Sequence, residues 1–224
     1  SIKDQSTYSN GGYIITNANC SSTGIAAPLA AINNAYGLKQ VFVSTYQALS
    51  GAGYPGVPSL DAVGNVVPYI GGEEEKMESE LAKMLGTYSD GKFNFAGFKV
   101  MANCARVPVV DGHLESLVLE LEQQPTLEEL DACLSGFRGE PQELGLPSAP
   151  EQPIIVRKEA NRPQPVFDAM AGRPARAKGM AVTIGRLRQG NGYYKAFAMS
   201  HNTLRGGAGG SVLNAELAKA RGLL

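Results

Sequence analysis

The residues with the most evident chemistry lie between Tyr13 and Gly24, in YIITNANCSSTG. Tyr13, Ile14 and Ile15 read as the end of a buried strand, which Thr16, Asn17 and Asn19 break. Cys20 follows, and Ser21, Ser22 and Thr23 are good helix N-caps. The next residues, GIAAPLAAINNAY, are apolar at helical spacing. Cys20 is therefore expected on a strand-to-helix turn. Unpaired N–H groups and the helix dipole would favour its thiolate there. The alternative is a buried, inert cysteine.

Two histidines exist, His113 and His201. His113 begins a strand just past the turn Asp111-Gly112, and an imidazole titrating near neutrality is the obvious base for Cys20. A structural histidine is the competing reading. His201, in SHNTLRGG, reads as a local hydrogen-bonding residue. Arg106 lies seven residues before His113 in the apolar NCARVPVV. Its fork suits a carboxylate, on a ligand or in a structural ion pair. Glu73 and Lys76 are i, i+3 on one helix face, turned either to a zwitterionic or phosphorylated ligand or to solvent. Gly51-Ala52-Gly53-Tyr54-Pro55-Gly56 matches GxGxxG, but a dinucleotide fingerprint must open a helix. Here Pro55 and Pro58 favour extended chain, so the glycines read as a close backbone approach to a ligand or as an ordinary turn. Gly206 to Gly210 either cradle a ligand or let the last helix pack closely.

These groups need elements to hold them. The first helix is expected from Ser22 to Tyr36, kinked at Pro28 and stopped by Gly37. Gln40–Leu49 reads as a strand, and 51–68, with four Gly and three Pro, as a loop. A helix over Glu73–Gly86 buries Met77, Leu81, Met84 and Leu85, and its three leading glutamates suit its positive end. Phe98–Asn103 and Leu114–Leu121 read as strands, the latter with Leu117, Leu119 and Leu121 on one face. A capping box, Thr126 to Glu129, starts a helix to Leu134. Residues 139–153 read as a loop. Strands follow at Ile154–Arg157, Met180–Arg188 and Tyr193–Ser200, and a closing helix at Val212–Arg221. Residues 1–12 look like a frayed terminus. Without a steady βαβ rhythm, the fold class is α+β, a mixed sheet with helices on one face.

The 224 residues suit one large domain or two small ones. A net charge of −1 argues against a nucleic-acid binder. Three scattered cysteines argue for a reducing compartment, and against a disulfide scaffold or zinc site. No apolar run reaches membrane-span length and no signal peptide is visible, so a cytoplasmic location is expected. The chain opens SIKDQ without Met, which reads as processing or as a fragment.

NANCSSTG, QALSGAGYPGVPSLD, GEEEKME, RVPVVDGH and SHNTLRGGAGG, in that order, resemble the aspartate-β-semialdehyde dehydrogenase family, in particular its fungal and archaeal branch. The resemblance runs from about Gly12 to the C-terminus. N-acetyl-glutamyl-phosphate reductases usually carry Gly where this chain has Asn19. Glyceraldehyde-3-phosphate dehydrogenases share the cysteine turn but not SGAG followed by YPGVP.

The resemblance implies a sheet like that of the C-terminal catalytic domain of glyceraldehyde-3-phosphate dehydrogenase-like enzymes. It implies a catalytic and dimerisation domain over 1–200, and a helix over 201–224 that returns to a nucleotide-binding domain. It makes Cys20 the nucleophile toward β-aspartyl phosphate, through a thioester, and His113 the general acid/base. Gln47 would orient the acyl group. Arg106 would take the substrate carboxylate and Glu73 its amine, with Glu74 or Glu75 as one-residue slips. Asn19 and Lys76 would hold phosphate. Ser50, Gly51, Gly53 and Asn202 would line the pocket for the nicotinamide of NADP(H). It implies a homodimer or homotetramer, and a place in threonine and methionine synthesis. The family's GxxGxxG loop and the arginine before its cysteine strand have no counterpart in these residues, so NADP(H) is expected in a complete enzyme and none on this chain alone. A cysteine hydrolase or acyltransferase and a non-catalytic oligomerisation module are the competing classes.

Overall fold

The computed structural model describes residues 14–224. The expectations for residues 1–12 and Tyr13 lie outside them. Ile14 and Ile15 do not form a buried strand: they are 75% and 38% exposed, in chain without regular structure. No described strand pairs with them, so no ladder holds them.

Helix α1, Cys20–Tyr36, starts two residues earlier than its serines suggest. Its cap is Asn19, whose side chain accepts from the Ser21 and Ser22 amides. Such a cap contributes about 1 kcal/mol. Gly37 ends the helix at φ +68, a left-handed value that favours glycine. Strand β1 is Leu38–Gln47. It stops two residues short of the expected Leu49, which opens a 3-10 turn, Leu49–Ala52, running into the expected loop; the short α2, Ser59–Ala62, lies within that loop. Helix α3, Glu73–Met84, buries Glu73, Met77 and Leu81. Met84 is instead 40% exposed, on the helix's last, outward turn.

A hairpin follows, β2 (Thr87–Ser89) and β3 (Lys92–Asn94), joined at Asp90-Gly91, both with positive φ. Strands β4 (Lys99–Arg106) and β5 (His113–Leu121) lead to α4, Leu127–Gly136, which carries the capping box of Thr126 and Glu129. The short α5 (Glu140–Glu143), β6 (Ile154–Arg157), the short α6 (Pro165–Asp168), β7 (Val182–Gly190), β8 (Tyr193–Ser200) and α7 (Ala208–Ala220) complete the order. No helix among the described residues is long and apolar enough to cross a membrane.

Six strands form one mixed sheet in the order β4-β1-β5-β8-β7-β6. The β4–β1 and β6–β7 pairs are parallel and the others antiparallel. Alternation along the central strands sends Val41, Val43, Leu117, Leu119, Tyr194 and Ala196 into one core with Ile25, Leu29 and Ile32 of α1, Met77 and Leu81 of α3, and Leu130 and Leu134 of α4. The opposite positions, including Phe42, Tyr46, Leu114, Val118 and Phe197, stay half-buried or exposed. This is the α+β sheet with helices on one face that the sequence implied. A second, small core joins Leu213 of α7 to Leu146, Ala149, Ala177 and Met180. Glu216 accepts from Ser148, and Arg221 pairs with Glu140.

The register sets the site. On the helix-covered face, Gln47 ends β1 opposite Arg106 of β4, and His113 begins β5 opposite Ser200 of β8. Four strand ends thereby meet under the first turn of α1.

Candidate active site

Cys20 is the first residue of α1, and its Sγ lies 3.3 Å from His113 Nε2. The other ring nitrogen, Nδ1, accepts the Ala48 N–H at 3.0 Å. The Ala48 carbonyl accepts from Arg106 Nη1 at 2.8 Å. One residue, just past the end of β1, thus holds both His113 and Arg106. Gly51 allows it: a Cβ there would stand 2.8 Å from Arg106 Nη1 and 3.0 Å from His113 Cε1.

Arg106 is buried, and no carboxylate among the described residues pairs with it. Among the described residues its side chain makes one hydrogen bond, which leaves most of its fork unspent. Burial lowers its pKa and Glu73 opposes this.

Glu73, Gln47 and Asn19 form the other wall. Glu73 Oε1 accepts from Gln47 Nε2 at 2.8 Å, Asn19 Nδ2 at 2.9 Å and Ser21 Oγ at 3.4 Å. Gln47 Nε2 also donates to Thr45 Oγ1 at 3.3 Å, so the amide turns its nitrogen inward. Among the three leading glutamates, Glu73 faces the site. Glu74 accepts the Cys104 N–H, and Glu75 is exposed. Lys76 is solvent-exposed and hydrogen-bonds to none of these residues. The structure therefore brings together Cys20, His113, Gln47, Arg106, Glu73 and Asn19, and leaves Lys76 outside the cluster.

The Ser50 loop borders it. Its N–H groups bond back to the Val109–Val110 turn, and Ser50 Oγ accepts from Asn202 Nδ2 at 2.8 Å. Asn202 Oδ1 accepts the Gly112 N–H at 2.8 Å, tying the loop to the turn before His113. Gly53 has φ +67 and open space where a Cβ would stand. Gly206 presses on the nucleophile instead: a Cβ there would lie 2.7 Å from Cys20 Cβ. His201 is buried, with Thr203 Oγ1 3.3 Å from its Nδ1, the local role its sequence suggested.

The thiol departs from expectation. Burial, then the charges of Glu73 and Glu115, push Cys20 up to about 11; its own and the Ser21 N–H pull down and lose. Much of the helix end is already spent on Asn19 Oδ1. Cys104, driven by burial, also sits at about 11, so Cys20 is not set apart by its resting pKa.

Sequence reasoning missed Glu115, Ser200 and Ala48. Glu115 is 1% exposed, on the same face of β5 as His113, and neither carboxyl oxygen has a hydrogen-bond partner. Burial, then Glu73, holds it well above the usual carboxylate range. Extending the Leu117-Leu119-Leu121 alternation back by two residues would have found it.

Residues 29–205 match the family model described as semialdehyde dehydrogenase, dimerisation domain. The chain is 50% identical, over 210 residues, to aspartate-semialdehyde dehydrogenase of Methanothermobacter thermautotrophicus, covering 92% of this chain and 59% of that protein. It is 38% identical over 219 residues to malonyl CoA reductase (NADP) of Metallosphaera sedula, covering 95% of this chain and 60% of that one. The solved aspartate semialdehyde dehydrogenase with NADP from Candida albicans superimposes with a TM-score of 0.84 at 37% identity, covering 96% of this chain and 60% of that chain. The chain thus spans about three-fifths of the length of these relatives. Fold, site geometry and match agree: the chain belongs to the semialdehyde dehydrogenase dimerisation-domain family.

Proposed function

We propose that this chain supplies the catalytic and dimerisation part of an aspartate-semialdehyde dehydrogenase, which reduces β-aspartyl phosphate with NADPH to aspartate semialdehyde and phosphate. Its place would be the route to threonine and methionine. The observation that carries the reading is the Cys20–His113 pair beside a buried Arg106 with unspent donors. A nucleophile, a hydrogen-bonding imidazole and a carboxylate grip then stand in one cleft.

Each residue has a role in this reading. Arg106 takes the α-carboxylate in a bidentate grip, and Glu73 faces the α-amine. Gln47, held by Glu73, orients the acyl group. Asn19 borders the departing phosphate, and Lys76, on the neighbouring exposed face of α3, reaches it from outside. Cys20 attacks the acyl carbon to give a thioester. Ser50, Gly51, Gly53 and Asn202 would hold the nicotinamide end of NADP(H), and the open space at Gly53 fits a flat ring. The bound cofactor supplies the hydride. The domain division at 200/201 and the return of α7 to a nucleotide domain belong to the same proposal, as does a homodimer or homotetramer.

A second reading has one observation in its favour, the relative named malonyl CoA reductase. It would keep Cys20 and Arg106 and leave Glu73 without an amine to face. Incubation with β-aspartyl phosphate or with malonyl-CoA, followed by mass spectrometry of the Cys20 peptide, separates the two. An aspartyl adduct supports the proposal. A malonyl adduct alone supports the second reading, and steady cofactor-free hydrolysis supports a hydrolase.

A further inference from the structure

Asn19 caps α1, and a cap's own backbone N–H lies outside the helical ladder. In a capping box the third helical residue, Glu or Gln, reaches back to accept that N–H. Helix α4 closes its box in this way, with Glu129 Oε2 accepting the Thr126 N–H at 2.7 Å. In α1 the third residue is Ser22, whose side chain is too short to reach back. Ser22 is buried, and its Oγ has no hydrogen-bond partner among the described residues. The acceptor comes instead from another helix: Glu80 Oε2 of α3 takes the Asn19 N–H at 2.7 Å.

Helix α3 is itself fixed on two sides. Glu73 and Glu80 stand two turns apart on one face, and Glu73 Oε1 accepts from Asn19 Nδ2 at 2.9 Å. Glu74 and Glu78, one turn apart, turn to the edge strand β4. Glu74 Oε1 accepts the Cys104 N–H at 2.9 Å, and Glu78 Oε1 the Ala102 N–H at 3.1 Å. Strand β4 ends in Arg106. One helix thereby joins the turn that presents the nucleophile to the strand that presents the guanidinium.

We propose that Glu80 is a positioning residue for the reaction: it completes the cap of α1 from α3, and so sets where the Cys20 sulfur stands relative to His113 and Arg106. It acts through the Asn19 backbone, one residue before the nucleophile. A carboxylate suits this task because its bond to an N–H is charge-assisted. The effect on Cys20 reactivity needs only the nucleophile, whereas the effect on acylation rests on the acyl-phosphate reading.

The test compares Glu80→Ala, which removes the acceptor, with Glu80→Gln, which keeps a carbonyl oxygen. In Glu80→Ala the Asn19 amide proton should move upfield and lose its protection from exchange. Alkylation of Cys20 should slow about tenfold, and acylation by saturating β-aspartyl phosphate should slow by the same factor. The half-saturating concentration should stay within about twofold, because Arg106 and Glu73 keep their places. Glu80→Gln should recover most of both rates. Parent-like rates in Glu80→Ala, a Glu80→Gln as slow as Glu80→Ala, or a half-saturating concentration that rises as the rate falls would each overturn the proposal. Should Glu80→Ala fail to fold, the parent and Glu80→Gln still decide: an unprotected Asn19 amide in the parent overturns it. Loss of acylation in the parent itself, with the alkylation effect intact, would count against the acyl-phosphate reading alone.

Discussion

Gly24 lies against Ser200: a Cβ on Gly24 would stand 2.5 Å from Ser200 Oγ, inside any real contact, and 3.4 Å from Glu115 Oε1. Gly24 is one turn past Cys20 on the same helix face. This approach sets the depth at which α1 delivers the nucleophile to His113. Gly24→Ala should lift the helix start and slow Cys20 alkylation about tenfold. The Ser200 Cβ lies at 3.4 Å, an ordinary contact, so the double variant with Ser200→Ala should recover most of the rate. Alkylation kinetics of both variants check this; a double variant as slow as the single one would refute it.

Arg106→Lys keeps the charge and loses the fork. A charge-assisted contact of this kind contributes about 1.5–3 kcal/mol, equivalent to roughly 10- to 150-fold in affinity. The concentration of aspartate semialdehyde that half-protects Cys20 from alkylation should rise by that factor. The intrinsic alkylation rate should change little, and an unchanged protection curve would remove the carboxylate role.

Glu115 gives the chain a pH-dependent stability. Its folded pKa is raised, so its contribution is fully present below the ordinary carboxylate pKa and is lost as pH rises toward the folded value. The slope is about 1.4 kcal/mol per pH unit in that window. Glu115→Gln, neutral at every pH, should melt higher than the parent at pH 8 and close to it at pH 4. Thermal unfolding at both pH values measures this. Equal shifts at the two would mean that Glu115 is ionised in the folded chain or changes only packing.

The bare sheet face is where the proposed self-association is expected. Phe42, Val118 and Phe197 lie on the face opposite the helices, with Tyr46 39% exposed beside them. Covering this apolar surface favours a second copy. Sedimentation should show a dimer at micromolar concentration. Phe42→Glu should shift it to the 23.6 kDa monomer; no shift would place the contact elsewhere.

What was legible in the sequence was local. Gly37 stops α1, Thr126 and Glu129 cap α4, and Ile154–Arg157 and Tyr193–Ser200 appear with the bounds read from the sequence. The β2–β3 hairpin was missed although Asp90-Gly91 is a turn signal, because its strands are three residues each. Cys20, Gln47, Arg106 and His113 meet only through a register no short window carries, β4 parallel and β5 antiparallel to β1. The thiol was misread because helix position suggests stabilisation. Whether burial and two carboxyl groups outweigh it depends on residues more than fifty positions away.

The most direct test of the proposed function is the fate of Cys20 in the presence of β-aspartyl phosphate. Rapid quenching and peptide mapping should find one aspartyl group on Cys20, one phosphate released per acylated chain, and neither in Cys20→Ser. An unmodified Cys20 in folded chain that still alkylates, or an acyl group on Cys104 or Cys133, would contradict it.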